Sequence, residues 1–231
     1  MAARGLAGAV EGPARVERAR LAAAVAARGV RDAAVLAAVG AVPRHLFVPE
    51  ALRGRAYDDA ALPIGHGQNV SQPSTQARCL EALRLEAGDR VLEVGTGSGY
   101  QTALLAALVA QVFSVERVPD LRDRALVALR AAGVTNVSLL VGDGTLGWRD
   151  YAPFDAILVA AASPEVPRPL LEQLAPGGRI LLPLGDRDHQ VLTLLTASAA
   201  GSPEGGPPAV TRTPLAGARF VPLLGTFGFD A

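Results

Sequence analysis

Residues 90–116 read RVLEVGTGSGYQTALLAALVAQVFSVE, and this stretch decides the fold. A short apolar run to Val94 is followed by a glycine-rich turn. Alanines and leucines at helical spacing then extend to Ala110, and a second apolar run ends at Glu116. This order predicts a strand, a tight glycine turn and a helix that together span 97–110, and a second strand. A helical connection of this length implies that the two strands pair in parallel.

The alternation of strands and helices continues toward the C-terminus. It predicts a doubly wound, parallel α/β sheet with helices on both faces. Two amphipathic runs near the N-terminus predict a helical extension, with Asp32 capping its second helix. The further predicted elements are helices over 14–28, 32–39, 74–85, 119–133 and 168–178, and strands over 136–144, 154–162 and 179–185.

The last part of the chain has a different pattern. Residues 189–197 and 218–224 are strand-like, and the Gly/Pro/Ser-rich residues 198–209 predict a flexible loop between them. We therefore expect a C-terminal antiparallel hairpin at one edge of the sheet. The domain prediction is a flexible tail over 1–13 and a single domain over 14–231, divided into a helical and substrate-loop region (14–88), a cofactor-binding core (89–185) and C-terminal strands (186–231).

Composition and charge exclude several classes of protein. The 231 residues include 22 basic and 22 acidic ones, so bulk charge does not attract the chain to nucleic acid. The longest uncharged stretch, Val94–Val115, contains glycines and glutamines that fit a soluble strand–turn–helix better than a membrane span. Cys79 is the only cysteine, and no histidine pair has metal-ligand spacing. We expect a monomeric, cytoplasmic protein without a metal, nucleic-acid partner or membrane partner.

Gly95, Gly97 and Gly99 lie between a strand end and a helix start, where glycines let the backbone approach a ligand. Their G-x-G-x-G spacing differs from the G-x-G-x-x-G of dinucleotide sites, whose third glycine would fall at Tyr100. No G-K-[ST] follows, so a P-loop is excluded. The turn therefore predicts a ligand other than nicotinamide dinucleotide or a cradled triphosphate.

Two acidic residues follow the next two strands. Glu116 ends the second strand, where a carboxylate is placed to accept hydrogen bonds from ribose hydroxyls. Asp143, between Gly142 and Gly144, ends the third strand and is positioned to accept from an adenine amino group, although a plain Asp-Gly turn is also open. The carboxyl ends of parallel strands meet at one edge of the sheet, so we expect these groups to lie together.

These residues resemble the cofactor site of class I S-adenosylmethionine-dependent methyltransferases, whose sheet is Rossmann-like. The segment LPIGHGQNVSQP (62–73), with VPRHLFVPE (42–50) upstream, resembles the protein-L-isoaspartate O-methyltransferase family. Further matching segments are GTGSGYQTALLA, GDG, APFDAI, PGGRILLPLG and RFVPL. The resemblance covers about residues 14–224. Ser-Thr-Gln at 74–76 departs from the bulkier residues of the family pattern, which bears on substrate preference.

The resemblance implies S-adenosyl-L-methionine as the cofactor, S-adenosyl-L-homocysteine as its product and Ser71 as the active-site residue. With the turn and the acids above, it implies cofactor binding by Gln68, Asn69, Val70, Ser71, Gln76, Glu93, Gly95, Thr96, Gly97, Gly99, Glu116, Arg117, Gly142, Asp143 and Gly144. It implies substrate binding by Ile64, Gly65, His66, Val221 and Pro222. For His66, solvent and substrate contact are equally open.

The implied reaction is methyl transfer to the α-carboxylate of L-isoaspartyl residues in damaged proteins, which starts repair through a succinimide. Such a carboxylate, with a pKa of ~3.5, is already ionised at neutral pH and needs no general base. We therefore expect Ser71 to orient the substrate rather than to attack it; a helix-capping role is the alternative. Two other functions stay open: methylation of a specific aspartate in one dedicated peptide, and binding without turnover.

Overall fold

The computed structural model describes residues 13–200 and 207–230. Of the tail predicted over 1–13, only Pro13 lies in this part, and it begins helix α1 (Pro13–Ala27). Helix α2 (Ala33–Ala41) follows. Asp32 caps α2 as predicted, because its carboxylate accepts hydrogen bonds from two backbone N–H groups of the first turn. The N-terminal helical extension is therefore confirmed.

A region of short elements connects α2 to the sheet. Two 3-10 helices span Arg44–Phe47 and Glu50–Arg55. Strands β1 (Leu62–Gly65) and β2 (Gln68–Val70) then pair antiparallel, within the region that the domain prediction assigned to helices and a substrate loop. Helix α3 (Pro73–Leu83) begins directly afterwards, with its proline in the first turn, where a missing N–H leaves no hydrogen bond unmade.

The main sheet has seven strands in the order β5-β4-β3-β6-β7-β8-β9 among the described residues. The first five pair in parallel, and β8 and β9 add antiparallel pairs at one edge. The strands are β3 (Arg90–Val94), β4 (Gln111–Glu116), β5 (Val137–Val141), β6 (Phe154–Val159), β7 (Leu174–Gly185), β8 (Gln190–Ala197) and β9 (Val210–Ala218). The helices between them are α4 (Tyr100–Leu108), α5 (Pro119–Ala131) and α6 (Arg168–Leu171).

Helices cover both faces of the sheet, as predicted, but unequally. Apolar side chains of α1 to α5 pack on the face that carries Val91 and Val112. The other face, with Phe113 and Ile157, packs against α6 and against Trp148. Strands β3 and β6 are buried along most of their length, so their sequences are mostly apolar, and this is why the sequence located them.

Two predicted elements had the wrong bounds. The helix predicted over 168–178 ends at Leu171, because β7 already begins at Leu174, where it pairs with Phe154 of β6. The second strand of the C-terminal hairpin is β9, not residues 218–224. β9 is an exposed edge strand, so its sequence lacks the apolar run on which the prediction relied. Residues 201–206 of the predicted loop 198–209 lie outside the described part.

The uncharged stretch Val94–Val115 forms the end of β3, the glycine turn, α4 and most of β4, as the sequence predicted. Within residues 13–200 and 207–230, none of the helices has both the length and the apolar character needed to cross a membrane.

Candidate functional site

A cleft lies at the carboxyl ends of β3, β4 and β6. The chain passes from β3 to β4 on one side, whereas β6 pairs with the other side of β3, so the strand order reverses here. Ligands of open α/β sheets bind at such reversal points. Five parts of the chain form most of the walls: β2 with the start of α3, the glycine turn, the end of β4, the end of β6, and the segment after β9.

The turn after β3 has a backbone that favours glycine at every second residue. Gly95, Gly97 and Gly99 have φ angles of 97°, 54° and 85°, in the left-handed region that side-chain-bearing residues rarely adopt. At Gly99 a Cβ atom would also lie 3.1 Å from the Ala125 side chain of α5. Gly95 and Gly97 line the cleft, whereas Gly99 lies behind it, where α4 and α5 pack closely.

Glu116 reaches the cleft from the end of β4 and is 7% exposed. Its Oε2 accepts a hydrogen bond of 2.8 Å from the Gly97 backbone N–H, and its Oε1 one of 2.9 Å from the Val118 N–H. Each carboxylate oxygen can accept about two hydrogen bonds, so each retains one acceptor position. The carboxylate is therefore held in place by the chain and still able to accept from two neighbouring hydroxyls.

Glu93 lies behind the glycine turn and does not line the cleft, so its direct contact with a cofactor stays a prediction. Its buried Oε2 accepts from Thr102 (2.5 Å) and Ser114 (2.6 Å). Because Ser114 donates to Glu93, the 2.6 Å contact between Thr96 Oγ1 and Ser114 Oγ has Thr96 as its donor. Burial raises the pKa of Glu93 to about 7, despite the two hydroxyl donors.

Asp143 also lies outside the cleft lining, although the neighbouring Gly144 belongs to it. Oδ1 of Asp143 accepts from the N–H and hydroxyl of Thr145, and Oδ2 accepts from the N–H and hydroxyl of Thr226. Burial raises its pKa, but these hydrogen bonds outweigh burial and leave the pKa below the usual value. Four donors fill the carboxylate, which in this conformation anchors the C-terminal segment instead of facing the cleft.

Ser71 lines the cleft from the short segment between β2 and α3. Its hydroxyl makes no hydrogen bond with any described residue. The helix-capping alternative is wrong, because the N-cap position is Gln72 and the free N–H of Ser74 donates to Asp59 Oδ1 at 2.8 Å. The structure therefore leaves the Ser71 hydroxyl available to a ligand.

The structure brings most of the predicted site residues together. Of the predicted cofactor residues, Glu93, Gly99, Gly142 and Asp143 lie outside the cleft lining. Those that line the cleft are Gln68, Asn69, Val70, Ser71, Gln76, Gly95, Thr96, Gly97, Glu116, Arg117 and Gly144.

The predicted substrate residues are divided. Val221 and Pro222 line the cleft. Ile64 lines a separate cavity that shares Gly97 with the cleft. Gly65 and His66 lie at the turn of the β1–β2 hairpin, where the exposed His66 ring is 2.8 Å from Asp120 Oδ2 of α5. The hairpin turn thus contacts α5 and not the cleft.

Sequence reasoning missed several residues of the cleft. Thr75 and Gln101 line it, and so do Ala160 after β6 and Arg219 and Phe220 before Val221. Gln76 Oε1 and Gln101 Nε2 are buried without a hydrogen-bond partner, so two amides in the lining have unused hydrogen-bonding capacity. The sequence could have predicted Gln101, because it lies in the first turn of the helix that follows the glycine turn. No pattern in the sequence indicates that Ala160 lines the cleft.

Comparisons with known proteins agree on one family. The family model described as Protein-L-isoaspartate(D-aspartate) O-methyltransferase matches residues 17–226. A protein-L-isoaspartate O-methyltransferase of Methanoculleus marisnigri is 52% identical over 206 residues, which cover 89% of this chain and 90% of the relative. One from a Roseiflexus species is 52% identical over 204 residues, covering 88% and 90%.

Solved structures give the same result. A protein-L-isoaspartate O-methyltransferase structure superposes with a TM-score of 0.80 at 27% identity, covering 91% of this chain and 67% of that one. A second structure, a Plasmodium falciparum protein described as a putative protein-L-isoaspartate O-methyltransferase in complex with S-adenosyl-L-homocysteine, gives a TM-score of 0.76 at 26% identity and covers 90% and 98%.

Proposed function

The chain belongs to the protein-L-isoaspartate O-methyltransferase family, and from that premise we propose how its own residues carry out the reaction. It is an S-adenosylmethionine-dependent enzyme that methylates the α-carboxylate of L-isoaspartyl residues, which starts their repair through a succinimide. The observation that carries the assignment of roles is that the unbonded Ser71 hydroxyl and the glycine turn line one cleft.

The residues of the cleft fit S-adenosylmethionine. Glu116 retains one acceptor position on each oxygen, which matches the two hydroxyls of a ribose. The left-handed turn at Gly95 and Gly97 presents backbone without side chains toward the cleft. The unpartnered amides of Gln76 and Gln101 suit the polar amino-acid end of the cofactor. When bound, the cofactor supplies an electrophilic methyl group on a sulfonium.

The saturated carboxylate of Asp143 alters one expected contact. Because its four acceptor positions are already used, we propose that adenine is held mainly by the backbone around Gly144 and by the apolar wall of the cleft. Val115, Leu158 and Leu223 contribute to that wall. Contact between Asp143 and adenine would require Thr226 to release Oδ2, and it stays a prediction.

The chemistry asks little of the protein beyond positioning. An isoaspartyl α-carboxylate, with a pKa of ~3.5, is ionised at neutral pH, so the residues of the cleft have no proton to remove from it. We propose that the Ser71 hydroxyl donates to this carboxylate or to its adjoining amide and aims it at the methyl group. Orientation of this kind is worth roughly 7–11 kcal/mol of the barrier in well-aligned reactions.

Two arginines, Arg117 and Arg219, line the same cleft and contribute positive charge to it. We propose that these two arginines favour entry of an anionic group. Arg219 belongs to the same segment as Val221 and Pro222, which also line the cleft. Thr75 and Gln76, from the Ser-Thr-Gln departure at 74–76, also line the cleft. This departure therefore lies where it can affect substrate preference.

The test uses synthetic peptides and a labelled methyl donor. Two peptides identical except for L-isoaspartate or L-aspartate at one position are compared, and we expect turnover of the isoaspartyl peptide only. Turnover of aspartyl peptides would instead favour a dedicated-substrate methyltransferase. Tight binding of S-adenosylmethionine without turnover of any peptide would favour a non-catalytic binder. A monomeric state, a cytoplasmic location and the lack of nucleic-acid or membrane partners stay predictions.

A further inference from the structure

Arg44 is a fully buried cation whose hydrogen bonds go to backbone carbonyls alone. It begins the first 3-10 helix and is 0% exposed. One terminal nitrogen donates to the carbonyls of Ala56 (2.7 Å) and Asp58 (3.3 Å). The other donates to those of Ala60 (3.0 Å) and Ser71 (3.2 Å). All four N–H groups of the two terminal nitrogens are therefore used, while Nε is buried without a partner.

The four carbonyls belong to chain that has no regular structure of its own. None of them lies within a helix or strand, and three come from alternate residues of the segment 56–60, which curves around the guanidinium. The fourth belongs to Ser71 itself. The planar guanidinium of Arg44 thus provides these carbonyls with the hydrogen-bond donors that a neighbouring strand would otherwise supply. It also joins residues 56–60 to Ser71, which lies further along the chain.

Arg44 also contacts the first residue of helix α4, behind the glycine turn. Its guanidinium carbon lies 5.4 Å from the ring centroid of Tyr100, which is fully buried and directly follows Gly99 of the glycine turn. One side chain therefore connects the backbone of Ser71 with the start of helix α4. Because four of its N–H donors are used by carbonyls of two separate segments, Arg44 fixes the position of the Ser71 backbone relative to residues 56–60 and to Tyr100.

We propose that Arg44 is a positioning residue for methyl transfer, which fixes the Ser71 backbone relative to the glycine turn and so aims the Ser71 hydroxyl at the acceptor carboxylate. This inference rests on the proposed function. It predicts that a change at Arg44 disturbs turnover through Ser71 while cofactor binding, which uses Glu116 and the glycine backbone, is retained.

The test is Arg44→Lys, which retains the charge and the buried stem but loses the planar fork. We expect kcat/KM for an isoaspartyl peptide to fall about 10- to 100-fold, because small misplacements in a positioned site cost that much. The affinity for S-adenosylhomocysteine should stay within about 3-fold of wild type, which also verifies folding. Arg44→Gln, which lacks the charge and most of the donors, should lose more turnover than Arg44→Lys.

Arg179→Lys is the matched control. Arg179 donates to the carbonyls of Leu83 and Arg84 and to Asp89, and neither it nor these partners line the cleft. We expect its loss to lower the melting temperature without lowering kcat/KM by more than about 2-fold. If Arg44→Lys and Arg179→Lys lower kcat/KM equally, or if Arg44→Lys leaves it unchanged, Arg44 has only a structural role.

A double-mutant cycle tests whether the effect passes through Ser71. Once Ser71→Ala has removed the hydroxyl, Arg44→Lys should reduce turnover by less than about 3-fold, because the group that it aims is gone. Full additivity of the two losses would overturn the proposal. An inactive wild-type protein would instead overturn the proposed function, and this inference with it; an active wild type with an unaffected Arg44→Lys overturns only the inference.

Discussion

Replacement of Glu93 by glutamine should make the free energy of unfolding less dependent on pH. The carboxyl is completely buried, and burial raises its pKa from 4.5 to about 7. The glutamine variant has a similar shape and can still accept from Thr102 and Ser114, but it does not titrate. A comparison of the two proteins therefore isolates the ionisation of this one group.

The sign follows from proton linkage. Below about pH 4.5 the Glu93 carboxyl is protonated in both the folded and the unfolded chain, so it contributes no pH dependence. Between that pH and about 7, the unfolded chain releases the proton while the folded one retains it, and the free energy of unfolding falls by about 1.4 kcal/mol per pH unit. The full rise of the Glu93 pKa, from 4.5 to about 7, corresponds to about 3 kcal/mol of folding stability. This stability is present at low pH and is lost as the pH rises above the folded pKa.

Urea unfolding at about pH 5.5 and about pH 8 measures this effect. The free energy of unfolding of Glu93→Gln, relative to wild type, should rise by about 2 kcal/mol between the two conditions. Glu50→Gln is the control for the same substitution at the surface, because the Glu50 side chain is 89% exposed, and its pH slope is the reference for that of Glu93→Gln. Equal pH slopes for Glu93→Gln and wild type would refute the argument, since Glu93 would then be ionised in the folded protein.

Three further predictions concern the site. Glu116→Gln should weaken cofactor affinity roughly 5- to 100-fold in a calorimetric titration, because an amide replaces one acceptor at a cost of about 1–3 kcal/mol; unchanged affinity would exclude ribose contact. Ser71→Ala should retain the fold and cofactor affinity and lower turnover by ~10-fold or more, and full activity would disprove the orienting role. Shortening the Gly/Pro/Ser-rich loop 198–209 to a tight turn should leave peptide methylation and melting temperature near wild type, and a selective loss of peptide turnover would identify the loop as a substrate lid.

The sequence was sufficient to predict the parallel strands of the core, because strands that are buried on both faces consist mostly of apolar residues. Strands such as β3 and β6 are mostly apolar, with Arg90, Glu93 and Asp155 as their charged residues, and a helix of regular period follows β3. The hairpin partner was misplaced for the opposite reason. β9 is exposed along most of its length, so tertiary pairing with β8, not apolar pattern, makes it a strand.

The site was predictable where local geometry decides it. The spacing of the three glycines determines a left-handed turn at the end of β3, and Glu116 follows at the end of the next strand. What spacing cannot show is how a side chain is used once distant residues approach it. Thr226 binds Asp143 from 83 positions away, and Arg44 reaches Ser71 across 27. Neither pairing follows from a periodicity or a turn signal.

The three carboxylates at the ends of β3, β4 and β5 illustrate how environment separates like groups. Glu93 is enclosed with two hydroxyl donors on one oxygen and none on the other, so burial favours its neutral form. Asp143 receives four donors, which favour its charged form and leave it no free acceptor position. Only Glu116 combines anchoring by the backbone with free acceptor positions at the cleft. All three are acidic residues at the carboxyl ends of strands, so residue type and position do not distinguish them. The hydrogen-bond donors around each one do: Glu116 is left able to bind a ligand, whereas Glu93 and Asp143 bind other parts of the chain.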